Sequence, residues 1–327
     1  MNHSSLTSTP NSATDRSIEH RGALRRNEPL AKHCSWRTGG KAEYYFEPAD
    51  LDDLIEVIAQ FSHTKITWLG LGSNVLIRDG GLDGLVVSTA KGLNQLVWRD
   101  EGTMRGDCGV ACAKVAKESV RQGFGGAEFL AGIPGTIGGA LAMNAGAFGG
   151  ETWNLVARAQ ILDKQGKLDS VEPGDFVTGY RHVGLPEGHW FVSADLVFTA
   201  ADGRGLSKRE GVDEAEASDG QNRIKSLLAE RANTQPTGVA SCGSVFKNPQ
   251  GDFAGRLIEQ VGLKGFRLGR CAVSNKHANF IVNDENATAA EIEALIKHVQ
   301  SRVLQEEGVF LETEVRIIGN EPAEGSK

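Results

Sequence analysis

The chain has 327 residues, 40% hydrophobic and 24% charged, with a formal net charge of −7. That length suits two or three domains with sizeable cores, and the acidic balance argues against nucleic acid as a partner, which would need clustered Lys and Arg. No apolar run approaches the roughly 18 residues of a membrane helix, so no membrane insertion is expected. An odd set of five cysteines (Cys34, Cys108, Cys112, Cys242, Cys271) without an export signal suits a reducing, cytoplasmic setting. Cys108 and Cys112 have no His or further Cys at metal spacing, so no metal is expected.

Taken in chain order, residues 1–14 carry seven Ser or Thr and no apolar periodicity, and read as a solvated tail. "LDDLIEVIAQF" puts Leu51, Leu54, Ile55, Ile58 and Phe61 on one helical face, with Asp50 placed to cap it. "KITWLG" and "GLVVST" (84–89) read as strands. "CAKVAKESVRQG" (112–123) reads as a helix closed by Gly123. "LVARAQILD" (155–163) and "FVSADLVFTA" (191–200) look like paired strands, with a Gly166-Lys167 turn after the first. A polar, acidic stretch at 202–222 suggests a boundary. Helices near 223–232, 252–261 and 288–306 follow, then "GVFLETEVRIIG" as a final strand. Two α/β lobes and a smaller α+β lobe is the simplest arrangement.

"GIPGTIGGALAMNAGAFGGE" (132–151) holds seven glycines and no charge before its last residue. Alone it has a second reading, a Gly/Ala helix-packing seam, just as "LGLGSN" alone reads equally as an ordinary tight turn. "SWRTGG" (35–40) and "LGLGSN" (69–74) share its character, and the latter follows a predicted strand, so its N–H groups converge on an anion. The dinucleotide fingerprint fails at Val75, and no Walker motif occurs. Together the segments suit a long, flat ligand with one anionic joint, and FAD has that shape.

"WRTGG", "LGLGSNVLIRD", "AGIPGTIGGALAMNAGAFGGE", "GYR", "SCGSVFKNP", "SNKHANFIVN" and "LETEVRIIG" occur in this order over roughly residues 28–319. On these motifs the chain resembles the UDP-N-acetylenolpyruvoylglucosamine reductase family. The resemblance implies a mixed α/β and α+β fold. A two-lobed FAD-binding domain of the PCMH/vanillyl-alcohol-oxidase type would be joined to a C-terminal α+β substrate domain. It divides the chain into a disordered tail (1–27), FAD lobes at 28–95 and 96–202, a linker (203–222), the substrate domain (223–320) and a tail (321–327). The short link between Tyr180-Arg181 and the strand at 191 leaves no room for the insertion of the family's longer class, so the shorter class is expected.

The resemblance also implies non-covalent FAD, NADPH as hydride donor, and UDP-N-acetyl-3-O-(1-carboxyvinyl)-glucosamine as substrate. The FAD residues expected are Trp36, Arg37, Thr38, Gly39 and Gly40; Gly70, Gly72, Ser73 and Asn74; and Gly132, Ile133, Pro134, Gly135, Thr136, Gly138, Gly139, Asn144, Ala145 and Gly146. Arg181 is the expected stabiliser of charge on the substrate carboxylate. Glu312 and Glu314 would face the same way on an alternating strand; the family's Glu before Val-Arg selects Glu314, with Ser244 as proton donor. Arg231, Lys247, Asn248 and His277 are the expected substrate contacts. The alternatives are another FAD oxidoreductase of this fold acting on a sugar or hydroxy acid, and a non-catalytic flavin-binding module.

Overall fold

The computed structural model describes residues 18–322 apart from 101 and 201–213. The Ser/Thr-rich start and residues 203–213 of the expected linker therefore lie outside the described residues.

The first sheet is built from β1 (Ala23–Pro29), β2 (Lys41–Glu47), β3 (Ile66–Leu69) and β5 (Leu82–Ser88), while β4 (Val75–Ile77) lies apart. The order is β1-β2-β5-β3, with β1 antiparallel and the others parallel. Helix α1 (Leu51–Gln60) crosses over from β2 to β3, and Asp50 caps it by accepting from Asp53 N at 2.9 Å. Alternation along β2 and β5 sends Phe46, Leu85 and Val87 to α1, and Tyr45 and Val86 to a second cluster with Leu30 and Cys34.

Strand β1 corrects the disordered tail expected through residue 27. Its arginines lie on the sheet surface, each over a tyrosine ring of the neighbouring strand. The Arg25 and Arg26 guanidinium carbons sit 5.7 and 4.9 Å from the Tyr45 and Tyr44 ring centres, and Arg25 also pairs with Glu47 at 2.8 Å.

The second sheet uses β6 (Leu96–Asp100), β7 (Thr103–Asp107), β8 (Val156–Asp163), β9 (Leu168–Val171) and β10 (His189–Val197) in the order β9-β8-β10-β7-β6, all antiparallel. The β8–β9 hairpin turns at Gly166, whose φ of 85° only glycine adopts freely. Helices α2 (Cys112–Arg121) and α3 (Ile137–Met143) cover one face.

Helix α4 runs from Glu214 to Thr234, so residues 214–222 are helical rather than linker. It packs on α2: a Cβ at Gly220 would lie 2.6 Å from Val120 Cγ1, and Ile224 is buried in the second lobe's core. The expected boundary at 222/223 thus falls inside an element that belongs partly to the second lobe. Its polar composition reflects a helix covered on one narrow stripe only.

The third body holds α5 (Ala254–Gln260), a small sheet of β11 (Arg267–Leu268), β12 (Cys271–Val273) and β13 (Ile281–Asn283), and α6 (Ala289–Glu307). The predicted strand at 308–319 survives only as β14 (Arg316–Ile318), which pairs in parallel with β4. Before it the chain bends, because Glu314 N and Val315 N both donate to Val245 O, at 2.8 and 3.3 Å. The bend breaks the alternation: the Glu312 side chain is 69% exposed and that of Glu314 only 13%.

Lobe one and the third body are fastened by more than β4–β14. Asp79 Oδ1 and Oδ2 accept from Ala289 N and Ala290 N at the start of α6, at 3.0 and 2.9 Å. Arg78 grips Glu293 through two bonds of 2.8 and 3.0 Å. The Arg78 bond holds the Glu293 carboxyl at about 2, below its ordinary 4.5. With the folded value below the unfolded one, this stabilisation is present above about pH 4.5 and is lost as pH falls toward 2. Glu293→Gln should lower the melting temperature at neutral pH and flatten its decline across that acid window. A decline as steep as in the parent would show that the pair contributes nothing.

Candidate active site

After β3 the chain enters the loop Gly70–Asn74. The N–H groups of Leu71, Gly72, Ser73 and Asn74 donate to no protein acceptor among the described residues. Neighbouring N–H groups that no protein acceptor takes up form a nest for an anion. Gly72 is required here twice over: its φ is 61°, and a Cβ would stand 2.0 Å from His33 O. The loop touches the glycine-rich stretch, since a Cβ on Gly70 would lie 2.6 Å from Thr136 Oγ1 and one on Gly135 3.4 Å from Ser73 Oγ.

Much of the remaining glycine serves packing. Ile137 N and Gly138 N donate to Val110 O and Cys108 O, both at 2.8 Å, and Gly139 N to Thr136 Oγ1 at 3.5 Å. The start of α3 is therefore satisfied by protein, and the Gly138 site is bare because Cys108 Cβ would be 2.8 Å away. Gly132 makes room for the Phe148 ring, and Gly39 and Gly40 for the backbone of Ile77, Asp79 and Gly81. Ile133 N turns back to Leu130 O and Ala145 N to Ala140 O. Trp36 is fully buried in the third body's core, its Nε1 donating to Ile281 O at 2.9 Å while its carbonyl accepts from Asn283 Nδ2 at 2.8 Å. It bolts lobe one to the third body. Arg37 is exposed with a φ of 56°, and Thr38 is buried with its carbonyl accepting from Cys34 Sγ. Pro134 lies in the irregular segment between Ile133 and Gly135.

The second lobe and the C-terminal segment meet at Arg181. Its Nε donates to Glu314 Oε1 at 2.8 Å, Nη2 to Gly146 O at 2.8 Å and Nη1 to Asn144 O at 3.5 Å. Arg181 has a φ of 54°, a left-handed backbone that costs a non-glycine residue about 1–2 kcal/mol. The neighbouring Tyr180 ring lies under its guanidinium at 5.2 Å. Asn144, itself at φ 46°, fixes the platform through Glu151 and Gly179 O. Burial raises the Glu314 pKa despite the opposing pull of Arg181 and Lys247. Asn74 Nδ2 donates to Glu314 O at 3.1 Å, tying this centre to the glycine loop.

Ser244 stands one residue before Val245, whose carbonyl holds the Glu314 bend. It follows Gly243, which has a φ of 74° and open space where a Cβ would project. Asn279 pins this turn: its carbonyl accepts from Val245 N and its side chain bonds both Phe246 N and Phe246 O. Ser244 lines a cavity of about 350 Å³ with Asn248, Phe253, Lys276, His277 and Asn279. Lys247 lies beside the same centre, its Nζ 3.3 Å from the exposed Glu312 carboxylate. Arg231, in the last turn of α4, donates to Gln235 Oε1 and has no carboxylate partner among the described residues; burial lowers its pKa.

The structure therefore gathers Arg181, Glu314 and Lys247 at one point and sets Ser244, Asn248 and His277 around one cavity beside it. Phe253, Lys276 and Asn279 are additions that the motifs did not single out. Asn279 had a signal, a polar residue inside the apolar "ANFIV" run; exposed Phe253 had none.

The uncommitted N–H nest beside a half-buried arginine–carboxylate pair fits the pyrophosphate of FAD. An "FAD binding domain" family model matches residues 42–171, and "UDP-N-acetylenolpyruvoylglucosamine reductase, C-terminal domain" matches 235–318. UDP-N-acetylenolpyruvoylglucosamine reductase of Methylococcus capsulatus is 51% identical, covering 95% of this chain and 98% of its own. Its namesake from Alkalilimnicola ehrlichii is 49% identical over 94% and 98%. The crystal structure of the enzyme from Thermus caldophilus superposes with a TM-score of 0.74 at 28% identity, covering 91% of this chain and 98% of that one. The fold is that of an FAD-dependent oxidoreductase. The chain belongs to the UDP-N-acetylenolpyruvoylglucosamine reductase family.

Proposed function

We propose that this chain reduces the enolpyruvyl ether of UDP-N-acetyl-3-O-(1-carboxyvinyl)-glucosamine to the lactyl ether of UDP-N-acetylmuramate, with NADPH as hydride donor, a step of peptidoglycan synthesis. The supporting observation is the Arg181–Glu314 contact, a partly desolvated cation and carboxyl joined across two bodies beside the Ser244 turn. The first two bodies hold the cofactor and the third holds substrate, with α4 between them. No helix among the described residues is long and apolar enough to cross a membrane.

The N–H groups of Leu71–Asn74 would hold the cofactor pyrophosphate. When bound, FAD supplies a carrier for the hydride. The overall change adds hydride to the terminal carbon of the double bond and a proton to the carbon that bears the ether oxygen and carboxylate. Negative charge grows toward that carboxylate as the hydride arrives. Arg181 holds this charge with the N–H groups left over once Gly146 O and Asn144 O have fixed its guanidinium, so little reorganisation is needed. Glu314 in its protonated form donates a hydrogen bond to the same oxygens. Ser244 gives its proton to the adjacent carbon. Lys247 and Arg231 hold the diphosphate and sugar, and Asn248 and His277 line the path from the reacting end.

Product analysis tests the reading directly. Incubation with NADPH and the enolpyruvyl sugar nucleotide should yield a product heavier by two hydrogens, and recovery of unchanged sugar nucleotide would refute it. The flavin should come away without a covalent bond, because Cys34 Sγ is turned to Thr38 O and His33 is held by Tyr45 and Glu28. Acid precipitation should leave the yellow colour in solution; colour in the pellet would contradict this.

Lys247 carries a further expectation. Its side chain is 31% exposed, so Lys247→Ala should raise KM by about tenfold at low salt, less at high salt, and leave flavin content unchanged. Equal loss of flavin would move Lys247 to the cofactor site or the fold.

A further inference from the structure

A proton donor must be held in place, yet neither the side chain nor the backbone of Ser244 bonds to any protein group among the described residues. Gly243 before it has no atom within 4 Å of where a Cβ would project, so the hold must come from the residues that follow. Phe246 forms an antiparallel bridge with Thr313, made by Lys247 N to Glu312 O at 2.9 Å and Glu314 N to Val245 O at 2.8 Å. In such a pair the N–H and C=O of Phe246 itself point to the opposite edge. There the side chain of Asn279 stands where a neighbouring strand would be. Its Oδ1 accepts from Phe246 N at 3.0 Å and its Nδ2 donates to Phe246 O at 2.8 Å. A primary amide carries the same acceptor and donor as a peptide group, and the two partners settle which atom is which. Both residues are buried, so water does not stand in for the amide.

We infer that Asn279 is a positioning residue of the proton-transfer step: its carboxamide holds Phe246 from the edge opposite Thr313, and through that short segment fixes the Ser244 hydroxyl. The inference rests on the reductase reading above, with Ser244 as donor. Without the amide, Phe246 keeps a buried N–H and C=O that have lost their partners, and the segment must shift to satisfy them. Glu314 has anchors of its own in Arg181 and Asn74, so Ser244 is the group that moves. A misplacement of about 1 Å at a reacting group is enough to cost on the order of 10²-fold. Flavin reduction by NADPH takes no proton from Ser244 and does not feel the shift.

Anaerobic stopped flow on the flavin-loaded enzyme tests this with two variants. Asn279→Leu keeps the bulk and removes both bonds; Asn279→Asp, when ionised, keeps the acceptor and removes the donor. NADPH should bleach both within about threefold of the parental rate. Reoxidation by UDP-N-acetyl-3-O-(1-carboxyvinyl)-glucosamine should slow by about 10- to 100-fold, with the half-saturating substrate concentration within about threefold of the parent's. In a Ser244→Ala background the same substitutions should add less than about threefold, because the hydroxyl they position is gone. Should Asn279→Leu fail to fold, Asn279→Asp carries the comparison. Equal slowing of both half-reactions, reoxidation at the parental rate, or the same loss on top of Ser244→Ala would overturn the inference and leave the reductase reading intact. A parent enzyme that the sugar nucleotide does not reoxidise would overturn that reading, and this one with it.

Discussion

Ser244→Ala should turn over about 10²- to 10⁴-fold more slowly than the parent, the usual worth of a positioned acid. The hydroxyl sits at a turn fixed from both sides, by Gly243 at φ 74° and by the Val245–Asn279 bond, so methyl for hydroxymethyl leaves the backbone in place. Substrate affinity should change little, because the proton moves only after binding. Ser244→Cys keeps a donor of lower pKa and should recover part of the loss. NADPH should bleach the Ser244→Ala flavin at nearly the parental rate, since that half-reaction needs no carbon protonated. If both half-reactions collapsed, the turn would be structural and Ser244 would leave the mechanism.

Glu314→Ala should cost about 10²- to 10³-fold in kcat, the range for removing one fixed donor from a site of developing charge. It also frees Arg181 Nε and loosens the junction between the second lobe and the C-terminal segment. Glu314→Gln separates the two contributions, because an amide keeps the shape and a donor but cannot ionise. Burial raises the Glu314 pKa, so the acid form persists further toward neutral pH than in an ordinary glutamate. Wild-type kcat should therefore fall as pH rises through that raised value, and Glu314→Gln should lack this alkaline limb. An identical limb in both would assign the titration to another group.

The elements that carry strong periodicity were legible in the chain: α1 with its Asp50 cap, α2, the β8 and β10 pair, and α6. Two features were not. The final strand reads as continuous because alternation over "LETEV" is intact, but a contact 69 residues away, Val245 O with Glu314 N, bends it. Local pattern has no access to such a partner. That bend is what separates Glu314 from Glu312, so the choice between them came from the family motif and its physical reason came from the fold. The linker at 203–222 was the second miss: a polar run reads as a boundary, while Gly220 lets half of it lie as helix on Val120. Glycine was the most ambiguous signal. Gly72, Gly138, Gly39 and Gly40 are all bare because neighbouring protein atoms press on them, and only Gly72 also belongs to a run of N–H groups that no protein acceptor among the described residues takes up. Only coordinates distinguish space kept for a ligand from space taken by the protein.

The central claim, an enolpyruvyl reductase rather than an oxygen-using oxidase of the same fold, is tested most directly by following the flavin absorbance of the purified parent protein under anaerobic conditions. NADPH is added first and UDP-N-acetyl-3-O-(1-carboxyvinyl)-glucosamine second. The account predicts that NADPH bleaches the yellow colour and that the sugar nucleotide alone restores it. Colour that returns only when oxygen is admitted would contradict it.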